Sequence, residues 1–361
     1  MIILGIETSC DETSVGIVEQ EANQLSIKAN ITASSLQLHS TTGGIIPEIA
    51  AREQVKYMLP VLPQALRTGV DGDEKKIDAI AVTYGPGLIG SLLVGLETAK
   101  TLSYIWNKPL IPVNHMFGHI YANWLTKKDQ TTIRFPAIVL VVSGGHTDLL
   151  LMKAHGEVQV LGGTRDDAAG ECFDKCARLL GFDYPGGPKI AELAKKGDAN
   201  SFHFPRPMLG SHDDDFSFSG LKTAFLNMTK QHFPLTRTTI PNSKAGWEHT
   251  ALEKELSDKD KIVLYNLCAS LEKAIIDTLV KKTMHAAKEH HVQSLLISGG
   301  VAANDLLRIQ FASQASQLGI NFFAPEKNLC TDNGAMIAAA ALFNNHPISW
   351  QDIIVDPELY Y

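Results

Sequence analysis

The chain is poor in several things, and each shortage excludes something. It has five cysteines, Cys10, Cys172, Cys176, Cys268 and Cys330, an odd number with no C-x-x-C pair. That excludes a disulfide scaffold and reads as reduced thiols of a cytoplasmic protein. It has no surplus of positive charge: 32 Lys and Arg against 39 Asp and Glu leave −7. Nucleic acid is therefore not gripped by bulk charge, and an RNA contact needs a local basic patch or a helper protein. It has no long apolar run. The longest uncharged stretch, Ala81 to Leu96, is broken by Gly85, Pro86, Gly87 and Gly90. It reads as a buried strand, a loop and a helix, with no membrane span. The opening MIILGIETSCDE has no basic region, and Glu7 breaks its apolar run, so it does not read as a signal peptide.

What is present is an ordinary globular composition, 45% apolar and 20% charged over 361 residues. At about 150 residues per domain, two domains are the default. Ile2 to Glu19 reads strand, turn, strand, and so does Ala137 to Met152, where AIVLVV and LLLM flank SGGHTD. Two such hairpins, each opening an α/β half, predict a duplicated architecture with a cleft between lobes. Further strands are expected at Ile77 to Thr83, at Pro109 to Val113 and in SLLISGG. Helices are expected from Leu88 to about Trp106, from about Asp166, over Ile262 to His290 and in AMIAAAALF. Residues 201 to 260 read as an irregular surface insertion with an extended loop.

Five constellations could carry chemistry. In VNHMFGHI, His115 and His119 are four apart, so both imidazoles lie on one helix face and can reach one cation. Two polar residues on an amphipathic helix are the plainer alternative. Met116 stands where H-E-x-x-H has its glutamate, so a metalloprotease has no general base here. A third ligand must come from elsewhere, and Asp332 in TDNG is a candidate. The turns Thr8 to Ser14 and Ser143 to Thr147 expose amides and hydroxyls able to hold phosphate. In SGGVAAN, Gly299 and Gly300 let a ligand approach the backbone, and Asn304 could contact a ribose or base. In DDAAGECFDK, Asp166 and Asp167 fit charge complementation of a helix start, whereas Asp174 could point into the cleft. Cys172 and Cys176 read as core packing. In GGIIPEIAAR, Glu48 and Arg52 form an i, i+4 pair.

Ten strings run in order over residues 4 to 340: GIETSCDETSVGIV, GGIIPEIAAR, YGPGLIGSLLVG, VNHMFGH, LVVSGGHTDL, DDAAGECFDK, YPGGP, FSFSGLKTA, SGGVAANDLLR and CTDNGAMIA. In these the chain resembles the tRNA N6-adenosine threonylcarbamoyltransferase (TsaD) family, formerly described as O-sialoglycoprotein endopeptidases. The resemblance implies an α/β, duplicated actin-like or sugar-kinase-like fold. It implies an N-terminal lobe over 1–135, with a helix at 332–345 packing back on it. It implies a second lobe over 136–331 carrying the insertion around 201–260. It implies transfer of a threonylcarbamoyl group from threonylcarbamoyl-AMP to N6 of adenosine 37 in tRNAs reading ANN codons. Metal ligands are implied at His115, His119 and Asp332, for one divalent ion per subunit, iron (Fe2+) or zinc. Substrate contacts are implied at Val141, Val142, Ser143, Gly144, Gly145, Asp174, Gly187 and Asn304, with Gly186 in the same loop as Gly187. Asp11 and Glu12 are candidates for a general base. Implied partners are tRNA, a TsaB-type paralogue and a TsaE-type ATPase, with no membrane. Two departures stand out. Gln54 occupies a position where the family usually has His, and Thr236 to Lys259 is longer than expected of a bacterial member. A small-molecule kinase of the same fold, a metalloprotease and a non-catalytic scaffold are the competing expectations. The His115, His119, Asp332 trio separates the first from a transferase, because such kinases bind Mg through carboxylates and phosphates.

Overall fold

The computed structural model describes residues 1–22, 24–36, 38, 44–125, 132–232 and 256–361. Most of the long 236–259 stretch, and Gly43, lie outside the described residues. Two five-stranded mixed sheets form the frame. The first comprises β1 (Ile2–Glu7), β2 (Glu12–Glu21), β3 (Gln24–Ser34), β4 (Ala79–Gly85) and β5 (Leu110–Asn114), in the order β3-β2-β1-β4-β5. The second comprises β6 (Ala137–Val142), β7 (Thr147–Ala154), β8 (Glu157–Gly163), β9 (Ser294–Ser298) and β10 (Asn321–Phe323), in the order β8-β7-β6-β9-β10. The orders match strand for strand. In each sheet the opening hairpin and its third strand pair antiparallel, and the two later strands pair parallel. The hairpins foresaw this, but β3 and β8 were missed. β3 and β8 are the outer strands of their sheets and largely exposed, so neither carries a clean apolar period.

The helices make three layers around the sheets. Outside the first sheet lie α1 (Pro47–Val70) and α2 (Ile89–Trp106). Between the sheets lie α3 (His115–Tyr121) and α9 (Gly334–Phe343), packed on each other and sharing one core with Ile3, Ala81, Val139 and Leu150. On the outer side of the second sheet a core gathers α4 (Ala169–Leu179), α5 (Gly187–Ala194), α6 (Ser219–His232), α7 (Asp258–Glu289) and α8 (Asp305–Gln317). Each buried Leu, Ile or Phe there contributes about 1.5–3 kcal/mol. Close approach of α9 to the first hairpin is made possible by glycine. A Cβ on Gly5 or Gly16 would strike the backbone of Gly334, Ala335 or Ala338.

Two readings of the second half change. The helix expected from Asp166 begins at Ala169. The Asp166 carboxylate serves another helix, accepting from the Phe218 and Ser219 amides and the Ser217 and Ser219 hydroxyls at the start of α6. Asp167 pairs with Lys175 at 2.7 Å. Within 201–260, Ser219–His232 is helical, and Phe204, Phe216, Phe218 and Phe225 are core residues. Alternating Phe and Ser in FSFSG hid that burial. No described helix is long and apolar enough to cross a membrane.

Candidate functional site

The cleft between the sheets measures about 1260 Å³ and is lined from both halves. One end of it meets the middle helical layer. Asn114 caps α3 by accepting from the Met116 amide, which starts the helix at His115 and sets His119 one turn on. Asn333 caps α9 by accepting from the Met336 amide at 3.0 Å, which fixes the turn carrying Asp332. The two caps bring three donor groups together. Asp332 Oδ1 lies 3.6 Å from His115 Nε2 and 3.3 Å from His119 Nε2. One ligand atom from each residue falls within 4.8 Å of the others.

The surroundings prepare these groups for a cation. Glu7 Oε2 is 3.0 Å from His115 Nδ1, so that nitrogen holds a proton, and Nε2, on the side of Asp332, is the atom from which a bound cation would displace one. Glu7 is itself fixed by the Thr83 hydroxyl at 2.6 Å and the Ser9 amide at 2.5 Å. Burial alone would lower the His115 imidazole, yet the Glu7 and Asp332 carboxylates beside it raise it to about 9. Burial would raise Asp332, but His115 and His119 hold it well below the usual carboxylate range. Two imidazoles and an ionised carboxylate form a donor set that suits iron or zinc better than magnesium. The residues present therefore fit a divalent transition metal. Glu7 was noticed in the sequence only as a break in an apolar strand. A charge ending a buried strand was the available signal.

The two hairpin turns face the cleft. In the first, Asp11 and Glu12 both line it. Asp11 is tied down by the Ser35 amide and hydroxyl, which donate to its carbonyl. Burial, then Asp332 and Asp11, push the Glu12 carboxyl well above its ordinary value. Gln54 explains how this turn is held. It is fully buried on α1, and its Nε2 donates to the carbonyls of Thr8, Cys10 and Glu12 at 3.0–3.2 Å. In the second turn Ser143, Gly144 and Gly145 line the cleft, whereas Val141 and Val142 are fully buried in β6. A Cβ on Gly144 or Gly145 would meet nothing within 4 Å. Asp174 Oδ1 accepts from the Gly186 and Gly187 amides at 2.8 and 3.1 Å, so it shapes the YPGGP turn. Asn304 caps α8 through Oδ1, and its Nδ2 donates to Glu272 Oε1 at 2.6 Å. Cys172 and Cys176 are buried in the second core, as expected.

This geometry defines an α/β protein whose two matching five-stranded sheets flank a cleft with a donor set that fits a metal. Its relatives agree with one another. The tRNA N6-adenosine threonylcarbamoyltransferase family model matches residues 26–339. A protein of that name from Thermomicrobium roseum is 48% identical over 346 residues, covering 95% of this chain and 92% of its own. One from Thermosipho africanus is 46% identical over 341 residues, covering 94% and 93%. The chain belongs to the tRNA N6-adenosine threonylcarbamoyltransferase family. Among solved structures, HypF of T. kodakarensis aligns at a TM-score of 0.55 with 13% identity, covering 95% of this chain and 48% of that one. A full-length HypF in a phosphate- and nucleotide-bound form gives 0.53 with 12% identity, covering 95% and 46%. The chain spans about half the length of those HypF chains, and the likeness concerns the fold.

Proposed function

We infer that the chain transfers a threonylcarbamoyl group to N6 of an adenosine in tRNA, at position 37 of tRNAs reading ANN codons, from threonylcarbamoyl-AMP. Convergence of His115, His119 and Asp332 on one point of the cleft, in a chain of this family, carries the reading. The matched sheets support an actin-like, sugar-kinase-like fold with lobes over 1–135 and 136–331, the helix at 332–345 lying on the first.

His115, His119 and Asp332 would hold one divalent ion, iron or zinc. Such an ion supplies Lewis-acid polarisation of donor oxygens. Glu7 keeps the His115 ring in its ligating tautomer. The Ser143–Gly145 turn, with Val141 and Val142 fixing its strand, and the Gly186–Gly187 amides held by Asp174 cradle the adenylate end. Positioning of the carbamoyl carbon against N6 provides much of the rate. The N6 lone pair forms the new C–N bond, the bond from the carbamoyl carbon to the phosphate oxygen breaks, and AMP leaves with that pair. The N6 proton passes to a base. Asp11 and Glu12, which line the cleft, are the candidates.

A paralogue of the same fold, of TsaB type, docks on the first lobe, and a TsaE-type ATPase joins it in the cytoplasm. Exposed Val55 and Leu59 on α1 and Leu93 on α2 support that face. The test supplies purified donor, unmodified tRNA and the partner proteins, followed by mass analysis of tRNA nucleosides. N6-threonylcarbamoyladenosine is the expected product. Product on a peptide or a sugar hydroxyl alone overturns the reading.

A further inference from the structure

Glu272 belongs to none of the motifs of the sequence. It stands mid-way along α7 and is only 7% exposed, yet it lines the cleft beside Asn304. A carboxylate so buried is costly without a partner. No cation stands within 4 Å of it among the described residues. The nearby Lys195 pairs with Asp305 at 3.0 Å. What Glu272 has is the neutral Asn304 amide on Oε1 at 2.6 Å. Oε2 has no partner and is not among the enclosed polar atoms, so it faces the cleft. Burial raises the carboxyl, and the Asn304 hydrogen bond opposes that rise.

Asn304 cannot take over this acceptor role easily. Its Oδ1 accepts from the Leu307 amide, and its Nδ2 is turned to Glu272. The cleft lining also includes the apolar Ala191 and Ala194 on α5, Ala269 on α7, Val301, and Ile309 on α8, with the paired Lys195 and Asp305 on the same lining. A largely apolar wall with an acceptor free of any cation at its side suits a flat, amphipathic ring system bearing a hydrogen-bond donor.

We propose that Glu272 accepts a hydrogen bond from the nucleoside half of the adenylate and thereby sets the nucleotide specificity of the cleft. This rests on the adenylate reading above. The donor is the ribose 2′-hydroxyl or the purine 6-amino group, and the experiment separates the two.

The experiment measures binding of AMP, 2′-deoxy-AMP and IMP by calorimetry to the full-length, metal-loaded chain. Wild type should prefer AMP about tenfold or more over the analogue that lacks the bonded donor. Loss with 2′-deoxy-AMP assigns the ribose, and loss with IMP assigns the amine. Glu272→Gln keeps the bond from Asn304 through its amide oxygen but turns an N–H toward the ligand. It should bind AMP about tenfold more weakly, lose the discrimination, and keep wild-type Tm and metal content. Equal binding of all three nucleotides by wild type overturns the proposal, and so does AMP binding by Glu272→Gln that equals wild type. Absence of any AMP binding by wild type overturns the adenylate reading together with it.

Discussion

The two hairpin turns are the same device used in opposite ways. Both join the first two strands of a five-stranded sheet, and both face the cleft. The first turn is closed. Gln54 binds three of its carbonyls, Leu88 donates to the Ser9 carbonyl at 2.8 Å, and α9 lies against its strands with no room for a methyl at Gly16. The second turn is open, with free space over Gly144 and Gly145. The two matching sheets thus carry one closed turn, which holds Glu7 beside the proposed metal ligands, and one open turn, the proposed cradle of the adenylate.

That contrast can be broken most severely at Gly16. Gly16→Ala puts a Cβ into the backbone of Ala335, where no side chain can yield. A loss of about 3 kcal/mol or more is expected, read as a lower Tm and a lower denaturant midpoint. Gln54→Ala removes the donors that hold the first turn, and should cost about 1–3 kcal/mol in the same measurements. Gly144→Ala is the opposite case. Nothing crowds the new methyl, so Tm should not move, while threonylcarbamoyl transfer should fall about tenfold, as for loss of one positioned contact. Equal loss of stability at Gly144 and Gly16 would erase the distinction between the turns.

The smallest effect concerns pH. His146, at the end of the open turn, is lowered to about 4 by burial and then by His115 and His119. Its folded value lies below the ordinary 6.5, so the unfolded chain binds the extra proton first. Stability from this residue is complete above pH 6.5 and is lost as pH falls toward 4. A plot of Tm against pH should decline less steeply over that window in His146→Gln.

Much of this was legible in the residues. The paired hairpins announced duplication because strand alternation and turn chemistry are local. The i, i+4 spacing of His115 and His119 placed both rings on one face for the same reason. Asp332 was a candidate from its turn, but only the packing of α9 against α3 brings it within 3.6 Å of both rings. Gln54 and Glu272 were illegible in role. Each stands on a long helix, and what each holds, the carbonyls of residues 8–12 or the Asn304 amide, is decided by tertiary packing. The FSFSG segment misled because its burial comes from the second core, with Asp166 holding its serines.

The central claim is that His115, His119 and Asp332 form one metal site on which transfer depends. Metal analysis of purified wild type and His115→Ala, paired with nucleoside mass analysis after transfer, tests it most directly. The account predicts one divalent transition metal per wild-type chain, and loss of both metal and N6-threonylcarbamoyladenosine in His115→Ala at unchanged folding. Full transfer by a folded, metal-free His115→Ala chain would contradict it.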